Sequence, residues 1–275
     1  MRTIEEVKRF GIAYLKRPNE AVELLAHCLN KPSRALIFSE ELVPDNIYDQ
    51  FISLLERRKR GEPLQQIIGY VEFLNCIIEI NRDVLVPRQE TELLTDFVIE
   101  KIKKTSYQNK ILVDLCTGSG CIAIALKKAL PLLNVLAIDI SEKALDIAKK
   151  NALKNKVVVE FLQGDFLEPL EGQRVDFIVS NPPYISEEEY HTLDDSVRLF
   201  EPKVALVGGA SGLQFYEKMA ALLPLYLNPR SSVFLEIGAS QGKSVQSLFA
   251  HAPWRNGVVH KDFASHDRFF SLEIE

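Results

Sequence analysis

The chain has 275 residues, 47% of them hydrophobic and 26% charged, with a formal net charge of -5. That length allows one large domain or two with a real core, and the acidic balance argues against a protein that grips long nucleic acid electrostatically. No run is apolar enough to span a bilayer and the N-terminus has no signal-peptide apolar stretch, so a cytoplasmic protein without a membrane partner is expected. Cys28, Cys76, Cys116 and Cys121 show no C-x-x-C spacing and sit among apolar residues. They read as buried reduced thiols, with no metal site. The one dense basic cluster, Arg57-Arg58-Lys59-Arg60, reads as a solvated helix end.

In chain order, residues 1 to about 70 are helical. Ile4, Val7, Phe10, Gly11 and Tyr14 recur at helical spacing, Pro18 and Pro32 interrupt, and Asp45 to Arg60 carries Ile47, Phe51, Leu54 and Leu55 on one face. Short helices with brief connections predict a small bundle. Tyr70–Leu74 and Cys76–Ile80 around Asn75 predict a hairpin within a connector over 71–87, and Gln89 opens a helix to about Lys104. From Lys110 onward strands and helices alternate. Strands are expected at Ile111–Cys116, Asn134–Ile138, Val157–Leu162, Val175–Ser180, Val233–Ile237, Gly257–His260 and Phe269–Ile274. Helices are expected at Cys121–Ala129, Glu142–Leu153, Leu213–Leu223 and Gly242–Ala250. The pattern predicts an α/β, Rossmann-like domain over 88–275, a mostly parallel seven-stranded sheet, preceded by the helical domain over 1–70. Ligands of such sheets bind at the carboxyl ends of the strands.

Three of those ends carry chemistry. The first runs Asp114-Leu115-Cys116-Thr117-Gly118-Ser119-Gly120 into a helix, with glycines that let backbone approach a ligand closely. The second ends in Asp139, 19 positions after Gly120, where a carboxylate takes the two hydroxyls of a ribose. The third is followed by Gly164-Asp165-Phe166, a carboxylate and an apolar ring for an adenine. Gly118 and Gly120 with Asp139 downstream also satisfy a dinucleotide fingerprint, so a nicotinamide oxidoreductase competes. Asp114 tilts the reading, because it suits an amino-acid-bearing cofactor and offers a pyrophosphate nothing.

The fourth strand ends in Asn181-Pro182-Pro183-Tyr184. As dipeptides these residues make a stiff turn. As a set they are what grips a planar –NH2 group: the Asn181 side-chain oxygen and the Pro182 carbonyl accept its two N–H bonds, and the Tyr184 ring covers its plane.

With these residues in place, the chain resembles the release-factor glutamine methyltransferases among the class I S-adenosylmethionine-dependent methyltransferases, nearly end to end. The resemblance is carried by Gly61–Gly69 with Glu72-Phe73, Val86–Glu92, the loop at 114–120, the turn at Asn181, Glu201–Gly209, Leu235–Gly238 with Gln241-Gly242, and Asp267-Arg268. Cys116 stands where the family usually has Gly, Gln89 replaces a common Pro, and Ser211-Gly212 replaces Asp-Gly. A Cys116 with positive φ would be strained.

The resemblance implies S-adenosylmethionine as methyl donor, with S-adenosylhomocysteine as product, held by Asp114, Cys116, Thr117, Gly118, Ser119, Gly120, Asp139, Asp165, Phe166 and Asn181. It implies catalysis by Asn181, Pro182 and Tyr184, with Pro183 also at the substrate. The implied substrate is the glutamine in the Gly-Gly-Gln loop of peptide-chain release factors, with no direct nucleic-acid substrate. Arg88, Glu90 and Glu92 read equally as site residues or as an ion-paired helix start. A glutamine methyltransferase of a ribosomal protein and a methyltransferase of exocyclic base amines would use the same turn. A binding module on the same fold would not need it.

Overall fold

The computed structural model describes residues 2–275. The chain divides into two compact units. One runs to Tyr70 and takes in Asp194–Phe200, and the other comprises Val71–Leu193 and Glu201–Glu275.

The first unit is helical: Ile4–Leu15, Pro18–Cys28, Asp45–Lys59 and Leu64–Ile68. Thr3 and Glu6 form a reciprocal capping box at the start of the first helix. Ile4, Val7, Leu24, Leu25, Phe51 and Leu55 are buried in one core, which fits the helical spacing of those positions. Gly11 faces that core because a Cβ there would come within 2.6 Å of the Phe51 ring. The basic cluster is more engaged than a solvated helix end. Arg57 forms a two-pronged pair with Glu62, and Arg58 lies 2.6 Å from Glu20. The segment Asp194–Phe200 belongs to this unit although it follows the fourth sheet strand in sequence. Gln66 donates to the Phe200 carbonyl at 2.8 Å.

The second unit contains a seven-stranded sheet: β1 Ile111–Leu115, β2 Asn134–Asp139, β3 Glu160–Gln163, β4 Val175–Ser180, β5 Leu227–Glu236, β6 Trp254–Lys261 and β7 Asp267–Ile274. The spatial order is β3-β2-β1-β4-β5-β7-β6. The first five pair in parallel, while β7 runs antiparallel to both β5 and β6. The order reverses between β1 and β4, the crevice at which such sheets hold ligands. Successive residues feed opposite faces. Leu112, Phe177 and Val179 enter one core, and Val113, Leu115 and Ile178 enter the other. Burial on both faces explains why these strands are nearly unbroken apolar runs.

The strands Tyr70–Phe73 and Cys76–Glu79 form the expected hairpin, which belongs to the second unit from Val71 onward. Phe73, Cys76 and Ile78 join the sheet's core. Asn151, completely buried, accepts from the Glu79 N–H and donates to the carbonyls of Glu79 and Ser119, tying hairpin, helix Glu142–Asn155 and glycine loop together. β5 begins six residues earlier than the apolar run at Val233 suggests, because Leu227 already pairs with Val175 across an irregularity in register.

Candidate active site

A cavity opens at the carboxyl ends of β1, β2 and β4. Cys116, Gly118, Asp139, Asp165, Phe166, Asn181 and Pro183 line it, with Leu85, Ala144 and Phe215 among the others. Residues from four separate stretches of sequence therefore converge as the strand-end rule requires.

The glycine loop is held by the two acids. Asp139 Oδ2 accepts from the Gly118 N–H at 2.8 Å, and its Oδ1 accepts from the Ser141 N–H at 2.9 Å. Burial raises the Asp139 pKa, opposed by these N–H donors. Asp114 is completely buried and lies behind the loop, not on the cavity wall. Its Oδ2 accepts from the Thr117 hydroxyl at 2.6 Å and the Ala123 N–H at 3.2 Å, so it braces the loop against the helix Cys121–Ala129. Among the described residues its Oδ1 has no hydrogen-bond partner, and burial pushes its pKa up to about 7. Thr117, Ser119 and Gly120 complete the loop without facing the cavity.

Cys116 sits at φ +60° and Phe166 at φ +58°. Both are left-handed conformations that cost an L-residue about 1–2 kcal/mol. The positive φ under which Cys116 would be strained is thus present, and a second instance lies on the same cavity. Gly118, at φ +55°, has open space where a Cβ would stand, so a side chain there would enter the cavity.

Asn181 reaches the cavity half-buried, and its Nδ2 donates to Thr91 Oγ1 at 3.1 Å. Pro183 joins it on the wall, while Pro182 is buried and Tyr184 is turned into the core on the Leu115 and Ile178 face. The Tyr184 hydroxyl donates to Glu236 Oε1 at 3.4 Å, and burial raises its pKa further from the usual range. Thr91 donates to Glu236 Oε2 at 2.7 Å. Burial pushes Glu236 up to about 7, against the pull of Thr91 and Arg268.

A strap supports the turn from the other side. Ile185 donates to the Leu206 carbonyl, and Gly208 donates to the Ile185 carbonyl, both at 2.9 Å. Gln241 Nε2 donates to the Tyr184 carbonyl at 2.9 Å. Gly208 packs so closely that a Cβ would stand 2.3 Å from the Pro183 carbonyl oxygen.

Thr91 and Glu236 are the residues to which the sequence reading gave no role. Both lay inside noted segments. Glu236 carried a usable signal, an acid at the carboxyl end of the apolar run Val233–Leu235, the same position that marks Asp139. The ambiguous trio resolves partly. Arg88 pairs with buried Glu201 at 2.6 Å, and Glu92 accepts from the Leu74 N–H at 2.6 Å, which ties the hairpin to the helix Gln89–Lys103. Among the described residues, no group of three or more His, Cys, Asp or Glu is placed to hold a metal ion, and no helix is long and apolar enough to cross a membrane.

Two family descriptions match the chain, "Methyltransferase small domain" over residues 88–201 and "PrmC N-terminal domain" over residues 12–69. The release factor glutamine methyltransferase of Thermodesulfovibrio yellowstonii is 37% identical over 274 residues, spanning 99% of this chain and 98% of its own. That of Bacillus subtilis is 39% identical over 262 residues, spanning 92% and 91%. The Thermus thermophilus 16S rRNA N2 G1207 methyltransferase, solved in complex with AdoMet and guanosine, superposes with a TM-score of 0.52 at 15% identity, covering 75% of this chain and 50% of that one. That last likeness is one of fold.

Proposed function

The chain belongs to the release factor glutamine methyltransferase family, and from that premise we propose that it transfers a methyl group from S-adenosylmethionine to the side-chain nitrogen of the glutamine in the Gly-Gly-Gln loop of peptide-chain release factors. The observation that carries the reading is Asn181 at the end of β4, on the cavity wall, with its –NH2 engaged by Thr91.

The cavity suits the methyl donor. Asp139 stands at the end of β2 for a ribose, and Phe166 offers a buried apolar face beside it. Gly118 leaves room where a Cβ would intrude, and Asp114 Oδ1 is an acceptor behind the loop with no protein partner. When bound, S-adenosylmethionine supplies an activated methyl group on a sulfonium.

A carboxamide nitrogen is a poor nucleophile because its lone pair is delocalised into the carbonyl, so the protein's task is orientation. The Asn181 side-chain oxygen and the Pro182 carbonyl accept the two amide hydrogens and aim the out-of-plane lone pair. As the nitrogen takes up positive charge, these acceptors stabilise it. Fixing both reactants near contact distance lowers the barrier by about 7–11 kcal/mol in well-oriented intramolecular reactions. An N-protonated amide is strongly acidic, so water removes the last proton and no general base is assigned. The Tyr184 ring bounds the site by supporting the turn from within the core. The helical unit ending at Tyr70 carries none of the cavity residues, and we assign it to docking the release factor.

The experiment offers labelled S-adenosylmethionine with purified release factor, ribosomal proteins and nucleic acid side by side. Label is expected on the release-factor glutamine and lost with Asn181→Ala. Label on ribosomal protein or nucleic acid in its place would refute the substrate assignment.

A further inference from the structure

Thr91 and Glu236 stand 145 positions apart in sequence and meet beside Asn181. Thr91 Oγ1 lies 2.7 Å from Glu236 Oε2 and 3.1 Å from Asn181 Nδ2. A hydroxyl has a single proton to donate, and an ionised carboxylate can only accept. Above its raised pKa of about 7 Glu236 is ionised, so there Thr91 gives its proton to Glu236 and must accept from Asn181. Asn181 must then turn its –NH2 toward Thr91, which leaves its carbonyl oxygen for the cavity. We infer that Thr91 and Glu236 are positioning residues that set the direction of this hydrogen-bond chain and so compel Asn181 to meet the substrate amide as an acceptor. This inference rests on the reading of Asn181 given above.

The alternative orientation explains why direction matters. A flipped Asn181 would set its own –NH2 against the substrate –NH2, two donors facing each other as positive charge develops. The side chain of asparagine is nearly symmetric in shape, so packing alone discriminates poorly between the two orientations. Hydrogen-bond chemistry must do it. The anchor of the chain is well fixed. Thr91 is 2% exposed and Glu236 1%, so water does not compete for their bonds. The Thr91 carbonyl accepts from the Thr95 hydroxyl at 2.7 Å, and the Glu236 carbonyl accepts from the Tyr216 hydroxyl at 2.8 Å. The second oxygen of Glu236 receives the Tyr184 hydroxyl at 3.4 Å, so one carboxylate restrains two side chains of the Asn181–Tyr184 turn.

The test measures single-turnover methyl transfer to release factor with saturating cofactor at a pH above about 8, where Glu236 is ionised, together with cofactor affinity by calorimetry. Thr91→Val, which keeps the shape and removes the hydroxyl, is expected to slow transfer by about 10–100-fold while cofactor affinity holds. Thr91→Ser, which restores the hydroxyl, is expected to return within about threefold of the native rate. Glu236→Gln can present either a donor or an acceptor to Thr91 and is expected to fall between the native protein and Thr91→Val.

The double variant separates positioning from a general structural role. In the Asn181→Ala background Thr91→Val should cost nothing further, whereas an independent effect would multiply. A native rate for Thr91→Val, or its full cost persisting without Asn181, would overturn the inference. If Asn181→Ala itself transfers normally, the functional reading falls. If Asn181→Ala fails but Thr91→Val is normal, only the positioning chain falls. Should Glu236→Gln not fold, the Thr91 pair and the double variant still decide.

Discussion

Substituting Gly208 by alanine perturbs the Asn181–Tyr184 turn through the backbone of Pro183, a residue of the cavity wall, while Gly208 itself lies off that wall. The new Cβ would stand 2.3 Å from the Pro183 carbonyl oxygen and 3.0 Å from the Gly212 carbonyl oxygen. Carbon–oxygen contacts below 3.0 Å are not tolerated, so the Pro183 carbonyl has to retreat by about 0.7–1 Å. Neither proline can absorb that shift through φ, which the pyrrolidine ring fixes. The displacement is then shared between ψ of Pro183 and the backbone on either side of it, including Pro182 and Asn181. A misplacement of about 1 Å at the reacting groups typically costs about 100-fold in rate. Gly208→Ala is expected to slow single-turnover transfer by about that factor, with cofactor affinity changed by less than threefold because Asp139 and the glycine loop are untouched. Gly172→Ala is the control. It carries the backbone penalty of φ +76° but has nothing within 4 Å of the added Cβ. It should lose stability and retain the rate. A native rate for Gly208→Ala would refute the claim that this strap holds the turn in register.

Other outcomes follow from the cavity. Asp139→Ala should weaken cofactor binding by about 1.5–3 kcal/mol, the worth of a hydrogen bond to a charged group, measured by calorimetry; unchanged affinity would remove Asp139 from the cofactor site. Cys116→Gly should stabilise the protein by about 0.5–1 kcal/mol, the left-handed penalty relieved less the added unfolded-state freedom of glycine, as read from denaturant midpoints. Glu236 has a pKa raised from the carboxylate range to about 7. Between pH 4.5 and 7 the folded state therefore binds more protons at this site than the unfolded state, and its contribution to stability falls as pH rises through that window. Glu236→Gln removes this dependence. Relative to the native protein, it should gain stability on the order of 3 kcal/mol between pH 4 and pH 8, measured by denaturant titration at both pH values. A pH-independent difference would contradict the buried carboxylate's raised pKa.

What the sequence determined by itself is what is encoded in neighbours along the chain. Alternating apolar runs and helical spacings marked the sheet, its helices, the hairpin around Asn75 and the helical bundle, because burial of one face imposes a period on consecutive residues. Asp139 and Asn181 were legible as candidate site residues, and both line the cavity, because each closes an apolar strand and strand ends of a parallel sheet converge on one crevice. The left-handed backbone at Cys116 was legible only through the family resemblance, in which glycine usually stands at that position.

Tertiary structure alone decided where these pieces meet. Asp114 closes a strand like the others, yet its carboxylate is taken by Thr117 and Ala123 and stands behind the loop. Tyr184 follows the prolines as a substrate-facing ring would, yet it turns into the core toward Glu236. The segment Asp194–Phe200 joins the helical unit although the chain around it belongs to the sheet. The bonds that orient Asn181 span 90 and 145 positions, and the closeness of Gly208 to Pro183 comes from two loops folding against each other. Such contacts leave no periodic trace. A hydrogen bond needs only two compatible groups brought within 3 Å, and which groups meet is settled by the packing of whole elements, not by the residues beside them in the chain.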